Sequence, residues 1–255
     1  MARISLGVAT SRSPMLSIPL GLWSLFEEED PKSNRILGRD GNIIPFEQLL
    51  AAAGNTMADQ LTAQVWDQKY QAAQAGLAAV KGALHESTPD VVLIIADDEG
   101  DWIFDTNRPA FLVYWGDTVK VVPRRTNAQS SPLNKASVWA WGAQEMELPV
   151  ASSVSQHIIE SLMNSGIEVA ASNRIPTGYG IGHGFGFTYQ RLMEDKIIPS
   201  VPIVLNNHYP PNQPTPSRCY ELGLEIKKAI ESMPDNINVA VVATGGLSTP
   251  VLDEE

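Results

Sequence analysis

Four histidines and one run of carboxylates carry most of the acid–base and metal chemistry open to this 255-residue chain. His183 stands among alternating glycines, Gly178, Gly180, Gly182, Gly184 and Gly186. An imidazole in a flexible loop near strand ends can donate and accept protons around neutral pH, or it can be purely structural. The glycine spacing does not give GxGxxG, and no GxxxxGK[ST] occurs, so no phosphate-cradling loop is legible. The glycines suit a backbone that comes close to a pocket. Asp97, Asp98 and Glu99 are consecutive. Carboxylates clustered at a strand end can bind a hard divalent cation, cap the next helix or sit solvated. His208 precedes a proline-rich turn and is placed to line a cleft. His157 reads as a histidine packed on a helix face, and His85, near a helix end with Lys81, as a favourable charge on the helix dipole. Trp102, Phe104, Tyr114 and Trp115 surround the second strand end and read as core with a possible stacking role. No HExxH, nucleophile elbow, CxxC pair or triad order is present.

The elements that must position these groups alternate between strand and helix. Ile4–Ala9 is a short apolar run that feeds a loop, Thr10 to Pro14. Phe26 to Pro31 reads as an acidic loop. Phe46–Met57 and Asp59–His85 read as helices. In the second, Trp66, Tyr70, Ala73, Leu77, Val80 and Leu84 recur at helical steps of four and three. Val91–Ile95 is continuously apolar, as in a central strand buried on both faces. Phe111–Tyr114, Glu168–Ser172, Pro202–Leu205 and Val239–Ala243 read as further strands, Ala151–Ser165 and Arg218–Met233 as helices, and Arg124–Ser137 as a surface loop. This order predicts an α/β fold: one domain over residues 1–255, with a mostly parallel central sheet covered by helices. Ligands in such sheets bind beyond the carboxyl ends of the strands. Those ends are Thr10–Pro14, Asp97–Asp101, Asn206–Tyr209 and Gly245–Thr249.

Composition narrows the partners. The formal net charge of -11 disfavours nucleic acid and anionic membrane surfaces. An anionic substrate would need a local basic pocket set against that field. A single cysteine, Cys219, cannot form an intramolecular disulfide; it reads as a structural thiol in a reducing, cytoplasmic setting. No apolar run is long enough to suggest a membrane span.

Several segments together resemble one family. They are Ala9–Leu16, Ile95–Glu99, Gly182–Phe185, Tyr209–Gly223 with its proline-rich start, and Thr244–Thr249 followed by Asp253–Glu255. In order and spacing they are similar to class III extradiol ring-cleavage dioxygenases of the protocatechuate 4,5-dioxygenase β-subunit type. The resemblance implies a non-haem Fe(II), held by two histidines and a glutamate, that cleaves catechol-type rings with O2, and a further histidine as acid/base. It matches that acid/base to His183. It places Arg12 where the first histidine ligand usually stands, and Glu99 with Asp98 at the second. The glutamate ligand matches Glu254 or Glu255, and Thr249 replaces another polar histidine. A guanidinium has no lone pair for a metal but can grip a carboxylate bidentately. Any surviving carboxylate site would favour Mg2+, Ca2+ or Mn2+ over Fe(II).

Three functions suit this pattern. One is a ring-cleavage dioxygenase with an atypical metal site formed from Asp97, Asp98 or Glu99 together with Glu254 or Glu255. Another is a metal-independent hydrolase or lyase in which Arg12 grips an anionic group of a carboxylated aromatic or carbonyl compound and His183 is the acid/base, oriented or assisted by Asp98 or Glu99; His208 and Thr249 are further candidate substrate-binding residues. The last is a catalytically silent subunit paired with a related active one. The family also suggests a homo-oligomer, and the chain reads as truncated at Glu255, where relatives continue.

Overall fold

The computed structural model describes residues 1–32, 36, 38, 42–54 and 56–245. The strands are β1 (Arg3–Thr10), β2 (Val91–Asp97), β3 (Phe111–Tyr114), β4 (Thr118–Val121), β5 (Met146–Pro149), β6 (Ala170–Ser172), β7 (Ser200–Leu205) and β8 (Asn238–Thr244). The helices are α1 (Leu25–Glu29), α2 (Phe46–Ala53), α3 (Ala63–Glu86), α4 (Pro132–Lys135), α5 (Val138–Trp141), α6 (Ser152–Asn164), α7 (His183–Phe187) and α8 (Pro216–Ser232). Six strands form the central sheet in the order β1-β8-β2-β7-β3-β6. All neighbours are parallel except β3 and β7, which run antiparallel. The predicted mostly parallel, helix-covered sheet is therefore observed in a single α/β domain.

Alternation along β2 explains the layering. Val92, Ile94 and Ala96 share one buried cluster with Leu77 and Leu84 of α3 and Phe185 and Phe187 of α7. Val91 and Leu93 face the opposite cluster, built with Ile158 and Leu162 of α6 and Ile226 and Ile230 of α8. Successive side chains point to opposite faces, so a strand covered on both sides must be apolar throughout.

Local signals set the helix ends. Thr62 accepts the Val65 N–H at 3.3 Å to cap α3. Thr215 does the same for Arg218 at the start of α8, ahead of Pro216 in the first turn. The helix expected over Phe46–Met57 stops at Ala53, because Gly54 takes φ +54°. The acidic stretch read as a loop contains α1, and the surface loop read over Arg124–Ser137 contains α4, capped by Ser131. The antiparallel pair β4–β5 has no counterpart in the sequence reading. Both strands are four residues long, too short to establish a period.

Parallel register brings the site together. Thr10 lies opposite Thr244, and Asp97 opposite Leu205. Four neighbouring strands, β1, β8, β2 and β7, thus end along one edge, which delivers the loops carrying Arg12, Gly245, Asp98–Asp101 and Asn206–Tyr209.

Candidate active site

The loop after β2 is built around Asp98. Its Oδ1 accepts the N–H groups of Gly100 and Ile103, each at 3.1 Å, and its Oδ2 accepts that of Trp102 at 3.3 Å. A short acidic side chain that collects consecutive amides folds the chain back on itself. Gly100 completes the turn at φ +87°, a region that other residues rarely enter. Arg108 donates to the Asp98 carbonyl at 3.1 Å and lies over the Tyr209 ring at 3.7 Å, a cation–π contact. Asn206 fixes Tyr209 from the other side, accepting its N–H at 3.0 Å.

Arg12 enters from the loop after β1 and is 7% exposed. Its Nη2 donates to Glu99 Oε1 at 2.6 Å and also forms an ion pair with Asp97. Asp97 is buried, and its carboxylate makes no hydrogen bond among the described residues. Buried charge needs an opposite charge close by. Arg12 and Asp97 meet that need for one another, while Glu99, which is exposed, meets the guanidinium from the solvent side.

His183 opens α7 rather than lying in a loop. Asp101 Oδ2 accepts its backbone N–H at 2.8 Å and contacts its ring Nδ1 at 2.7 Å. Its Nε2 lies 3.6 Å from Glu99 Oε1, an ion-pair distance rather than a hydrogen bond. Trp141 of α5 flanks the imidazole at 5.9 Å between ring centroids. The glycines make this approach possible. A Cβ on Gly182 would meet Asp101 Oδ2 at 2.8 Å, and one on Gly186 would meet the Ala140 carbonyl oxygen at 1.8 Å.

The groups tune one another. Burial alone would lower the pKa of His183, but its contacts with Asp101 and Glu99 outweigh that and raise it to about 9. The polar contact with His183, together with the charges of His183, Arg12 and His208, overcomes burial at Glu99 and lowers it to about 2. Burial and the neighbouring Asp101 charge push Asp98 up to about 6, against the pull of its three backbone N–H donors. At neutral pH the centre therefore holds an imidazolium beside the ionised Glu99 carboxylate. Such a group gives a proton first and takes one back later.

Comparison with known proteins identifies the family of the chain. The family described as the catalytic LigB subunit of aromatic ring-opening dioxygenase matches residues 56–252. The chain belongs to the LigB family. Over 119 residues it is 34% identical to a gallate dioxygenase of Pseudomonas putida, covering 44% of this chain and 34% of that protein. Over 174 residues it is 25% identical to a 2,3-dihydroxyphenylpropionate/2,3-dihydroxicinnamic acid 1,2-dioxygenase of Comamonas testosteroni, covering 68% of this chain and 47% of that protein. The chain spans less than half the length of either relative.

LigB-family dioxygenases typically use Fe(II). The described residues of this LigB-family chain do not fit that ion. The two positions implied for histidine ligands hold Arg12 and Glu99, and these are bonded to each other. The guanidinium occupies the space beside Asp97 and Glu99 that a cation would need, and it cannot coordinate one. Among the described residues, no group of three or more His, Cys, Asp or Glu side chains is arranged to hold a metal.

Of the residues singled out from sequence, Arg12, Glu99 and His183 meet at one point, with Asp98 directly behind them. His208 is exposed, stacks edge-on against Tyr209 at 4.8 Å and adds its charge to the field at Glu99. Thr249 and Glu254 lie outside the described residues. His85 bonds the Leu192 carbonyl at 2.8 Å and His157 that of Ala229 at 2.9 Å, both structural roles. Sequence reading missed the parts played by Asp101, Trp141 and Arg108. Asp101 was within reach, since it shares a strand end with Glu99. Trp141 and Arg108 arrive from distant segments without a pattern that marks them.

Proposed function

We propose that this LigB-family chain binds a catechol-type or carboxylated aromatic compound at the carboxyl edge of the sheet, and that it handles this ligand without Fe(II) at the Arg12 position. His183 is the acid/base. Asp101 holds its Nδ1, so Nε2 is the atom that exchanges a proton with a ligand oxygen, and Glu99 accepts from that same oxygen. Arg12 supplies a fixed positive charge beneath the site. The observation that carries this reading is the 2.6 Å contact between Arg12 and Glu99 next to the Asp101-held imidazole. Family membership supports the aromatic ligand, and the ion pair supports the departure from iron.

The test is to add Fe(II) to the purified chain under anaerobic conditions, desalt, measure bound iron by elemental analysis, and titrate the metal-free protein with catechols by calorimetry. The expected result is iron well below stoichiometric, together with catechol binding that His183→Gln weakens. Stoichiometric iron retained through desalting, with oxygen uptake on catechols, would overturn the metal-free reading. Absence of binding to any catechol would overturn the ligand assignment.

A further inference from the structure

One side chain joins two loops at the carboxyl edge of the sheet. Arg108 comes from the loop between β2 and β3, and its side chain is 9% exposed. The guanidinium lies over the ring of Tyr209, from the loop after β7, at 3.7 Å. Its Nη1 donates to the Asp98 carbonyl at 3.1 Å and stands 3.9 Å from Asp98 Oδ1. Asp105, its other acidic neighbour, is 94% exposed at the side chain and adds little in solvent. A flat guanidinium can stack on an aromatic face and still direct an N–H to a carbonyl; an ammonium has no face to stack.

The residue that Arg108 grips shapes the site. Asp98 gathers the amides of Gly100, Trp102 and Ile103 into one turn. Two side chains reach out of that turn, Glu99 to Arg12 and Asp101 to His183. The bond from Arg108 fixes the carbonyl of the Asp98–Glu99 peptide, and with it the direction in which the turn leaves β2. The stacked pair also backs the turn at Gly100, where a Cβ would meet the Tyr209 hydroxyl at 3.5 Å and Arg108 Nη2 at 4.0 Å. Tyr209 is anchored in its turn by Asn206, which accepts its N–H at 3.0 Å and donates to its carbonyl at 2.7 Å. The two loops are tied together without the guanidinium. Asn212 donates to the Arg108 carbonyl at 2.8 Å, and the Asn206 N–H donates to the Ala110 carbonyl at 2.9 Å. What the Arg108 side chain adds is therefore the placement of the turn.

We propose that Arg108, stacked on Tyr209, is a positioning residue for His183, holding the Asp98 turn so that Asp101 meets the imidazole. This rests on the reading of His183 as the acid/base, and its test needs no ligand. The experiment follows the His183 ring of the full chain by NMR in the parent, R108K, Y209L and Y209F. R108K keeps the charge and loses the flat face, Y209L removes the ring beneath it, and Y209F keeps that ring. In R108K and Y209L the Nδ1–H resonance should lose the downfield position that the Asp101 contact gives it. The imidazole should also titrate about half a pH unit or more lower, since a carboxylate held less closely favours the charged form less. Catechol should bind severalfold more weakly to the same two variants. Y209F should show the ring signals of the parent. Y209L tests the stack from the other loop should R108K fold poorly. Parent-like His183 signals in a folded R108K or Y209L would overturn the positioning role, whatever happens to the melting temperature. Signals shifted in Y209F as far as in Y209L would assign the effect to the hydroxyl and overturn the role of the stack. If R108K and Y209L shift the signals but no protein binds catechol, the positioning role stands and the ligand reading falls.

Discussion

Arg12 Nη2 lies 2.6 Å from Glu99 Oε1, so the residues at two implied histidine-ligand positions of the LigB family are bonded to each other. Of the two carboxylates that Arg12 meets, Asp97 is buried and Glu99 is exposed. The same guanidinium also pairs with Asp97, so one positive charge is shared between two carboxylates. On the metal-free reading proposed above, the guanidinium is the fixed positive charge at this position.

The first consequence is energetic. Breaking a buried pair by removing one partner costs about 3–5 kcal/mol, because the other charge stays buried and uncompensated. Arg12→Met should destabilise the chain on that scale, since Asp97 has a side chain only 1% exposed. Asp97→Asn should be destabilising as well. R12M/D97N should cost clearly less than the sum of the two, as expected for residues in direct contact. Urea unfolding of the four proteins gives the cycle. Strict additivity would mean that Arg12 and Asp97 do not act as a pair.

The same pair predicts how iron binding could return. R12H/E99H replaces both members with imidazoles, ligands that suit Fe(II), and removes the blocking guanidinium. After anaerobic loading and desalting, R12H/E99H should retain more iron than the parent chain or either single variant. R12H alone should gain little, because Glu99 remains. If the double variant gains nothing over the parent, the two positions are not the vestige of a ligand pair.

Stability should depend on pH with a sign set by His183. Its folded pKa is raised from 6.5 to about 9, so its stabilising contribution is complete below pH 6.5 and is lost as pH climbs through 9. Glu99 works in the opposite direction. Lowered from 4.5 to about 2, it contributes above pH 4.5 and loses that contribution as pH falls toward 2. Unfolding free energy should therefore drop by roughly 2 kcal/mol between pH 7 and pH 10, and the drop should be shallower in His183→Gln. A parent profile that stays flat over that interval would show that the imidazole is not held charged.

The layered sheet and the strand ends that carry the site were legible from sequence because they rest on repeated signals. The apolar run of Val91–Ile95 announces a strand covered on both faces, and parallel alternation fixes which edge holds the loops. The glycines around His183 were legible as close-approach positions, which the Gly182 and Gly186 contacts bear out. Their helix was not, because glycine has low helix propensity and tertiary packing overrides it at α7. Nor was the partnership of Arg12 with Asp97. Those residues lie far apart in sequence, and only the β1-β8-β2 strand order places the loop after β1 beside the end of β2.

Asp101 is the residue whose role can be isolated most cleanly. It accepts from both the backbone and the ring of His183, at 2.8 and 2.7 Å. Asp101→Asn keeps the shape and removes the charge. A carboxylate at this distance typically shifts a neighbour by about 1–3 pKa units, so the His183 titration followed by NMR should fall by at least about one unit in D101N. Ligand binding that depends on an imidazolium should then decline at a lower pH. An unchanged titration would transfer the orienting role to Glu99 alone.

The glycine substitutions separate close packing from mere helix content. Gly186 and Gly223 are both helical or adjoin a helix, yet their surroundings differ. A Cβ on Gly186 would sit 1.8 Å from the Ala140 carbonyl oxygen, a backbone atom that cannot swing aside, whereas one on Gly223 of α8 would meet nothing within 4 Å. Gly186→Ala should push α7 away from α5 and with it both His183 and Trp141, reducing the yield of folded protein or costing several kcal/mol, about the range of severe overpacking. Gly223→Ala should instead stabilise the chain by about 0.5–1 kcal/mol, because alanine loses less backbone freedom in a helix. Thermal unfolding of the two variants tests the contrast. Equal melting temperatures would mean that α7 can shift freely against α5, and His183 would then not be held in the geometry from which its acid/base role is argued.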